Sequence, residues 1–202
     1  RSAADVYEEF FVPALFQEWP GPVSEAAGIV PGHRVLDVAC GTGVLAREAA
    51  RRAAPDGHIT GIDINDGVLA VAARKTPTID WRPGAAEALP FDDVSFDTVV
   101  SQFGLMFFED RAKALQEMWR VLRPGGRLAV AVWDVIDTSP GYAAMIALLQ
   151  ELFGDQVADA LGAPFCLGDR QVLDRLLADA GLPDARVETR AGMARFPSLD
   201  DW

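Results

Sequence analysis

The amino-acid sequence predicts an α/β fold built on a doubly wound, mostly parallel sheet, and three observations carry that expectation. First, short runs rich in Val and Ile recur: "HRVLDVA" (33 to 39), "HITGIDI" (58 to 64), "TIDWRPG" (78 to 84), "FDTVVSQF" (96 to 103) and "RLAVAVWD" (127 to 134) read as strands. Second, "GVLAREAARRAA" (43 to 54), residues 66 to 74 and "DRAKALQEMWRVL" (110 to 122) fall between them with helical composition or spacing. Strands alternating with helices imply right-handed crossovers and parallel pairing. Third, 202 residues, half of them apolar, can bury one sizeable core, so a single domain over residues 1 to 202 is expected.

The flanks are helical. Residues 5 to 19, "DVYEEFFVPALFQEW", carry apolar side chains at mixed helical spacing, broken by Pro13 and closed by "PGP" at 20 to 22. Residues 23 to 28 read as a short helix ending at Gly28. Residues 1 to 28 thus form a helical cap on a core at 30 to 134. After Trp133 the alternation stops. Helices at 141 to 154 and 169 to 181 make 135 to 183 a helical insert, and "ARVETRAG" (185 to 192) reads as a late strand opening a tail at 185 to 202. The chain opens on Arg1 and closes on "FPSLDDW", so trimming at both ends is expected.

Composition excludes several classes. A formal net charge of −12 opposes binding to nucleic acid, which needs Lys and Arg against phosphates, and equally opposes an anionic membrane surface. Cys40 and Cys166 are far apart and lack metal-ligand spacing, which argues against a disulfide framework or a metal site and for a reduced, cytoplasmic setting. No apolar run approaches the roughly 20 residues of a membrane span, and no signal peptide is visible.

The loop after the first strand, in "RVLDVACGTGVLA" (34 to 46), carries the functional signal. Gly41 and Gly43 let the backbone turn sharply beside a ligand. Their spacing, Gly41-x-Gly43-x-x-Ala46, fits a dinucleotide fingerprint. Asp37 does not: a pyrophosphate would face a carboxylate, with no Lys or Arg nearby until Arg47. A ligand bearing an ammonium and a sulfonium would gain from that charge. Asp63 ends the second strand twenty residues after Gly43, where a carboxylate can accept from both ribose hydroxyls of any adenosine ligand.

"VLDVACGTG" (35 to 43), "GIDIN" (61 to 65), "GAAEALPFDDVSFDTVVSQFGLMFF" (84 to 108) and "EMWRVLRPGGRLAVAVW" (117 to 133) together resemble the class I S-adenosylmethionine-dependent methyltransferases. The likeness is to the small-molecule branch that includes the ubiquinone and menaquinone biosynthesis enzymes, and it covers residues 30 to 134. The resemblance implies a Rossmann-like sheet of order 3-2-1-4-5-7-6 whose final antiparallel strand is missing from this chain. It implies S-adenosyl-L-methionine as cofactor and S-adenosyl-L-homocysteine as product.

It also implies roles. Asp37 lies near the methionyl ammonium, and the backbone from Ala39 through Gly41 to Gly43 wraps the methionine part. Ala39 stands where the family usually has its first glycine. Asp63 holds the ribose diol, and Ile64 packs on the adenine or is ordinary core. Ala85 stands where the family has an Asp for the adenine amine, which leaves the Ala86 amide and Glu87 nearby. Gln102 contacts the methionine side, and Phe103, Met106, Phe107 and Phe108 line the substrate cavity or the core. Tyr7 resembles a family tyrosine that closes over the cofactor, or simply packs its helix.

Methyl transfer is an in-line displacement at carbon in which alignment and water exclusion do most of the work, and no metal is needed. His33 and His58 open their strands at the wrong end for catalysis. Glu8, Glu9, Asp134 and Tyr142 are unranked, so no general base is assigned. The apolar bias of residues 1 to 28 and 135 to 183 points to a small apolar or aromatic acceptor. Two further readings stay open: a non-catalytic S-adenosylmethionine-binding protein and an NAD-dependent reductase. The oligomeric state is left open.

Overall fold

The computed structural model describes residues 1–196, and its five strands form one all-parallel sheet of order β3-β2-β1-β4-β5. The strands are β1 (Arg34–Val38), β2 (His58–Asp63), β3 (Asp80–Pro83), β4 (Phe96–Gln102) and β5 (Leu122–Ala131). Crossover helices α3 (Val44–Ala53), α4 (Asp66–Lys75) and α5 (Arg111–Arg120) join them. Strand order reverses between β1 and β4, and a crevice outside the carboxyl ends at such a point is where open α/β sheets bind ligands.

The β1 run is buried from Val35 to Val38 because β2 and β4 flank it and helices cover both faces. Leu36, Val38, Ile62, Phe96, Leu115 and Met118 pack in one cluster; Val35, Leu45, Ala46, Ala49, Ile59 and Val100 pack in the other. The predicted boundaries of these three crossover helices hold to within two residues, and caps mark two of the starts: Asn65 accepts from Gly67 N (2.8 Å) and Asp110 from Lys113 N (2.9 Å).

Trp81 is wedged across this framework. A Cβ placed on Gly43 or on Gly61 would lie 2.4 Å from its ring, and its indole Nε1 donates to Thr76 O at 2.9 Å. Two glycines on separate elements are therefore required by one side chain.

The cap differs from expectation. Residues 5 to 19 are not one α-helix broken at Pro13. Helix α1 (Ala3–Val6) runs into a π-helical segment, Tyr7–Phe16, that carries Pro13 within it and ends with Gln17 N donating to Val12 O at 2.8 Å. Proline removes one donor, and π winding often marks functional sites. Helix α2 (Pro20–Ala26) follows.

β5 starts earlier than predicted. Leu122 pairs with Phe96 and Arg127 with Thr98, so "RPGG" loops out between two paired stretches. The insert holds α6 (Pro140–Phe153), α7 (Asp155–Gly162) and α8 (Arg170–Asp179). The strand expected at 185 to 192 is absent: these residues have no regular structure and are mostly exposed. "ARVETRAG" has two β-formers, Val187 and Thr189, and no apolar face to bury. The chain instead crosses the cap, where Met193 N donates to Glu18 Oε1 (2.7 Å) and Arg195 N to Ala14 O (2.9 Å). The end of the predicted tail, 197–202, lies outside the described residues. Among the described residues no helix is long and apolar enough to cross a membrane.

Candidate active site at the end of the first strand

Leaving β1, the chain must reverse within five residues, and it does so with three left-handed positions: Ala39 (φ 57°), Gly41 (φ 55°) and Gly43 (φ 88°). A side chain in this region costs about 1–2 kcal/mol, so Ala39 is held there against its preference. Cys40 N donates to Ile62 O (3.0 Å) and Gly43 N to Cys40 O (2.9 Å), which tie the loop to β2 and to itself. Asp63 closes the arrangement. Its Oδ2 accepts from Gly41 N (2.9 Å) and its Oδ1 from Asn65 N (2.9 Å). The amides of both loop glycines are thus engaged within the protein, which withholds them from a pyrophosphate.

Asp37 is 1% exposed, and among the described residues neither carboxylate oxygen has a hydrogen-bond partner. Burial pushes its carboxyl well above the usual range; the Ala46 amide and Arg47 act in the other direction without closing a bond, and the Asp63 charge adds to the rise. Arg47 is bound elsewhere: Nη1 donates to Thr42 O (2.7 Å) and Nη2 to Glu8 Oε1 (3.2 Å). The nearby guanidinium therefore leaves Asp37 unpaired, a buried acid whose ionised form a cationic ligand would favour.

Above the loop, the cap closes a cavity of about 30 Å³ lined by Tyr7, Phe16, Asp37, Ala39, Thr42 and Gln102, among others. That is room for about one water. A Cβ on Gly41 would lie 4.0 Å from the Tyr7 hydroxyl. Burial, then the charges of Asp63 and Glu8, push the Tyr7 phenol up, so it stays neutral. Gln102 Nε2 donates to Phe16 O (3.2 Å), and its buried Oε1 has no partner among the described residues.

Ile64 is 79% exposed at the end of β2, so it is not core. Ala86 and Glu87 sit in a short 3-10 turn, Ala86–Ala88. Being first in that turn, the Ala86 amide has no partner within it, while Glu87 Oε1 accepts from Glu109 N at 3.0 Å. Buried Glu117 braces this turn: it accepts from Leu89 N (3.1 Å) and pairs with Arg120, which also donates to Leu89 O (3.1 Å). These partners, Arg120 first, lower its carboxyl to about 2. A depressed pKa gives stability that is present above the ordinary value near 4.5 and is lost as pH falls toward 2. Glu117→Gln is expected to lower stability by about 2 kcal/mol at neutral pH. It should also flatten the acid branch of a urea-melt series in that window.

Of the expected cavity side chains, Phe103 stacks on Trp133 (4.5 Å between centroids) and joins Phe16 (5.8 Å). Trp133 and Tyr142 both approach Phe165 (6.1 and 5.6 Å), extending the aromatic run toward the insert. Met106 is 2% exposed and belongs to the core, Phe107 is 63% exposed, and Phe108 is half-buried against the core. His33 Nδ1 meets Thr98 Oγ1 (3.0 Å) at the opposite end of the sheet, and His58 opens β2 at that same end. Sequence reasoning missed Phe16 and Phe165 at the site and the engagement of Arg47 with Glu8. No local pattern marks them, because the partners lie on separate elements.

The family described as methyltransferase domain matches residues 36–130. The demethylmenaquinone methyltransferase of Renibacterium salmoninarum is 44% identical over 127 residues, 63% of this chain and 52% of that protein. The ubiquinone/menaquinone biosynthesis C-methyltransferase of Bordetella parapertussis is 34% identical over 203 residues, covering 98% of this chain and 76% of that protein. A solved S-adenosylmethionine-dependent methyltransferase of Aquifex aeolicus shares the fold, with 20% identity, a TM-score of 0.55, and 66% of this chain and 74% of that chain covered. The chain belongs to the class I S-adenosylmethionine-dependent methyltransferases. Within that class it is similar to the ubiquinone and menaquinone biosynthesis C-methyltransferases, and it spans about half the length of the Renibacterium salmoninarum relative (52%) and of a Pasteurella multocida relative (49%). The cofactor of the class is S-adenosylmethionine, and the residues present fit it: a buried acid, Asp37, whose ionised form a cationic ligand would favour, and the Asp63 carboxylate at the end of β2.

Proposed function

We propose that this protein transfers a methyl group from S-adenosylmethionine to a carbon of a small, apolar, quinone-type aromatic acceptor, in the cytoplasm and without nucleic acid as substrate. The observation that carries the reading is Asp37, buried and unpaired beneath the glycine loop. Asp37 holds the methionyl ammonium, and the Ala39, Gly41 and Gly43 backbone wraps the methionine part. Asp63 accepts from the ribose hydroxyls, Ile64 covers one adenine face, Ala86 and Glu87 approach its edge, and Gln102 orients the methionine end. S-adenosylmethionine supplies a sulfonium-bound methyl that is displaced in line.

The aromatic run of Phe16, Phe103, Trp133, Phe165 and Tyr142 supplies flat, apolar walls for an aromatic ring. The reduced, hydroquinone form of such a ring has an electron-rich carbon able to attack the methyl. The C–C bond forms as the C–S bond breaks, and the ring carbon then loses its proton. The chain's residues align donor and acceptor and exclude water during the transfer; S-adenosylhomocysteine departs as the neutral thioether and the proton passes to solvent. The relatives named for demethylmenaquinone and ubiquinone/menaquinone biosynthesis support the acceptor class.

Label from methyl-tritiated S-adenosylmethionine is expected in the organic phase when a reduced naphthoquinone bearing a prenyl chain is supplied. Transfer only to highly charged acceptors would overturn the acceptor class. Tight binding of S-adenosylmethionine with no transfer across an acceptor panel would favour a binding protein.

A further inference from the structure

Glu8 sits on the π-helical part of the cap, yet its side chain is only 4% exposed. One oxygen, Oε1, receives both Arg47 Nη2 (3.2 Å) and Lys75 Nζ; the other, Oε2, is buried with no partner among the described residues. Arg47 stands on the first turns of α3 with its side chain 28% exposed, and its Nη1 holds the Thr42 carbonyl (2.7 Å) inside the glycine loop. One guanidinium therefore grips the loop with one nitrogen and the cap with another. Asp5 pairs with Arg74 (2.5 Å) on the same side, so the cap is seated on α4 as well. Beneath this seat the cavity holds about 30 Å³, while pockets for molecules of cofactor size run to about 300–1,000 Å³. Admission of such a ligand requires the cap to lift.

We infer that Arg47 is a positioning residue that couples the shape of the cofactor loop to closure of the cap through Glu8, and so governs how long the cofactor stays. The inference rests on the proposed S-adenosylmethionine site. Exposed ion pairs contribute little, but Glu8 is a buried anion held through a single oxygen, so removing Arg47 leaves Lys75 alone to support it. Geometry, more than charge, is what Arg47 supplies. A lysine keeps the charge but has one nitrogen where the fork has two bonding ones in use. When the cap lifts, Nη2 loses its carboxylate and the Thr42 carbonyl loses a fixed partner; when it closes, both are restored together.

The test is stopped-flow dissociation of S-adenosylhomocysteine from the parent, Glu8→Gln, Arg47→Lys and the double variant, with the folded fraction measured by circular dichroism. Each single variant is expected to release the ligand about tenfold faster, as loss of one charge-assisted bond implies. The double variant should release it no faster than the quicker single, because the two side chains act as one link. Unchanged release from fully folded single variants would overturn the inference, even if their melting temperatures fell. Multiplicative acceleration in the double variant would overturn it too, since the residues would then act separately. If the parent binds no S-adenosylhomocysteine, the proposed site itself fails and the coupling falls with it.

Discussion

Asp37→Asn is expected to weaken S-adenosylmethionine binding by about 30- to 100-fold, some 2–3 kcal/mol, the range for a bond made to a charged group. The substitution keeps the shape of the side chain and removes only its charge. In the ligand-free protein the effect should reverse. Both oxygens of Asp37 are buried without partners, so a neutral side chain removes an unfavourable charge. The melting temperature of the variant should equal or exceed the parent's by a few degrees, at about 2–4 °C per kcal/mol for a domain of this size. Burial raises the Asp37 carboxyl well above its ordinary value near 3.8. The folded protein then binds this proton more tightly than the unfolded chain does. That contribution to stability is full at pH values below the ordinary one and is lost as pH rises toward the raised one. A cationic ligand favours the ionised form, so affinity in the parent should climb over the same window and stay flat in the variant. Calorimetry at several pH values, with thermal shifts beside it, checks both signs. Equal affinity in parent and variant would remove Asp37 from the site.

The second large effect is structural. Gly43→Ala places a methyl 2.4 Å from Trp81 at a residue whose φ is 88°. The ring cannot step aside, because Gly61 approaches it as closely on β2 and its indole nitrogen is tied to Thr76 O. Left-handed strain of about 1–2 kcal/mol and overpacking of about 1–3 kcal/mol predict a loss of roughly 2–5 kcal/mol. The melting temperature should fall by about 4–20 °C. Combining Gly43→Ala with Trp81→Leu should recover much of the packing part, leaving the combined loss well below the sum of the two singles. Strict additivity would show that Trp81 is not what excludes the methyl.

The sheet was legible because its central strands are buried on both faces, which writes continuous apolar runs such as Val35 to Val38 into the chain. The first loop was legible for a related reason: an acid inside such a run, Asp37, stands out against its surroundings. Elements with weak internal pattern were read less well. Pro13 suggested a break, whereas tertiary packing keeps the cap wound through it. "ARVETRAG" carried enough alternation to suggest a strand but too little apolar surface to hold one, so its chain spends its hydrogen bonds on the cap. The aromatic run and the Glu8–Arg47 link depend on partners from distant segments, 39 residues apart for the latter, and no local spacing can announce them.

Asp63 divides the binding free energy into two unlike parts. Its carboxylate is already fixed by Gly41 N and Asn65 N. Ionised, it has about four lone-pair sites, so about two remain for the proposed ribose contact. That half of the site is preorganised, and the entropy of ordering it was spent when the chain folded. On the inferred coupling of Arg47 and Glu8, the half under the cap reorganises for each ligand that enters. Adenosine fragments without the methionine part should therefore bind with little conformational penalty, while the full cofactor gains contacts at the expense of rearranging its own lid.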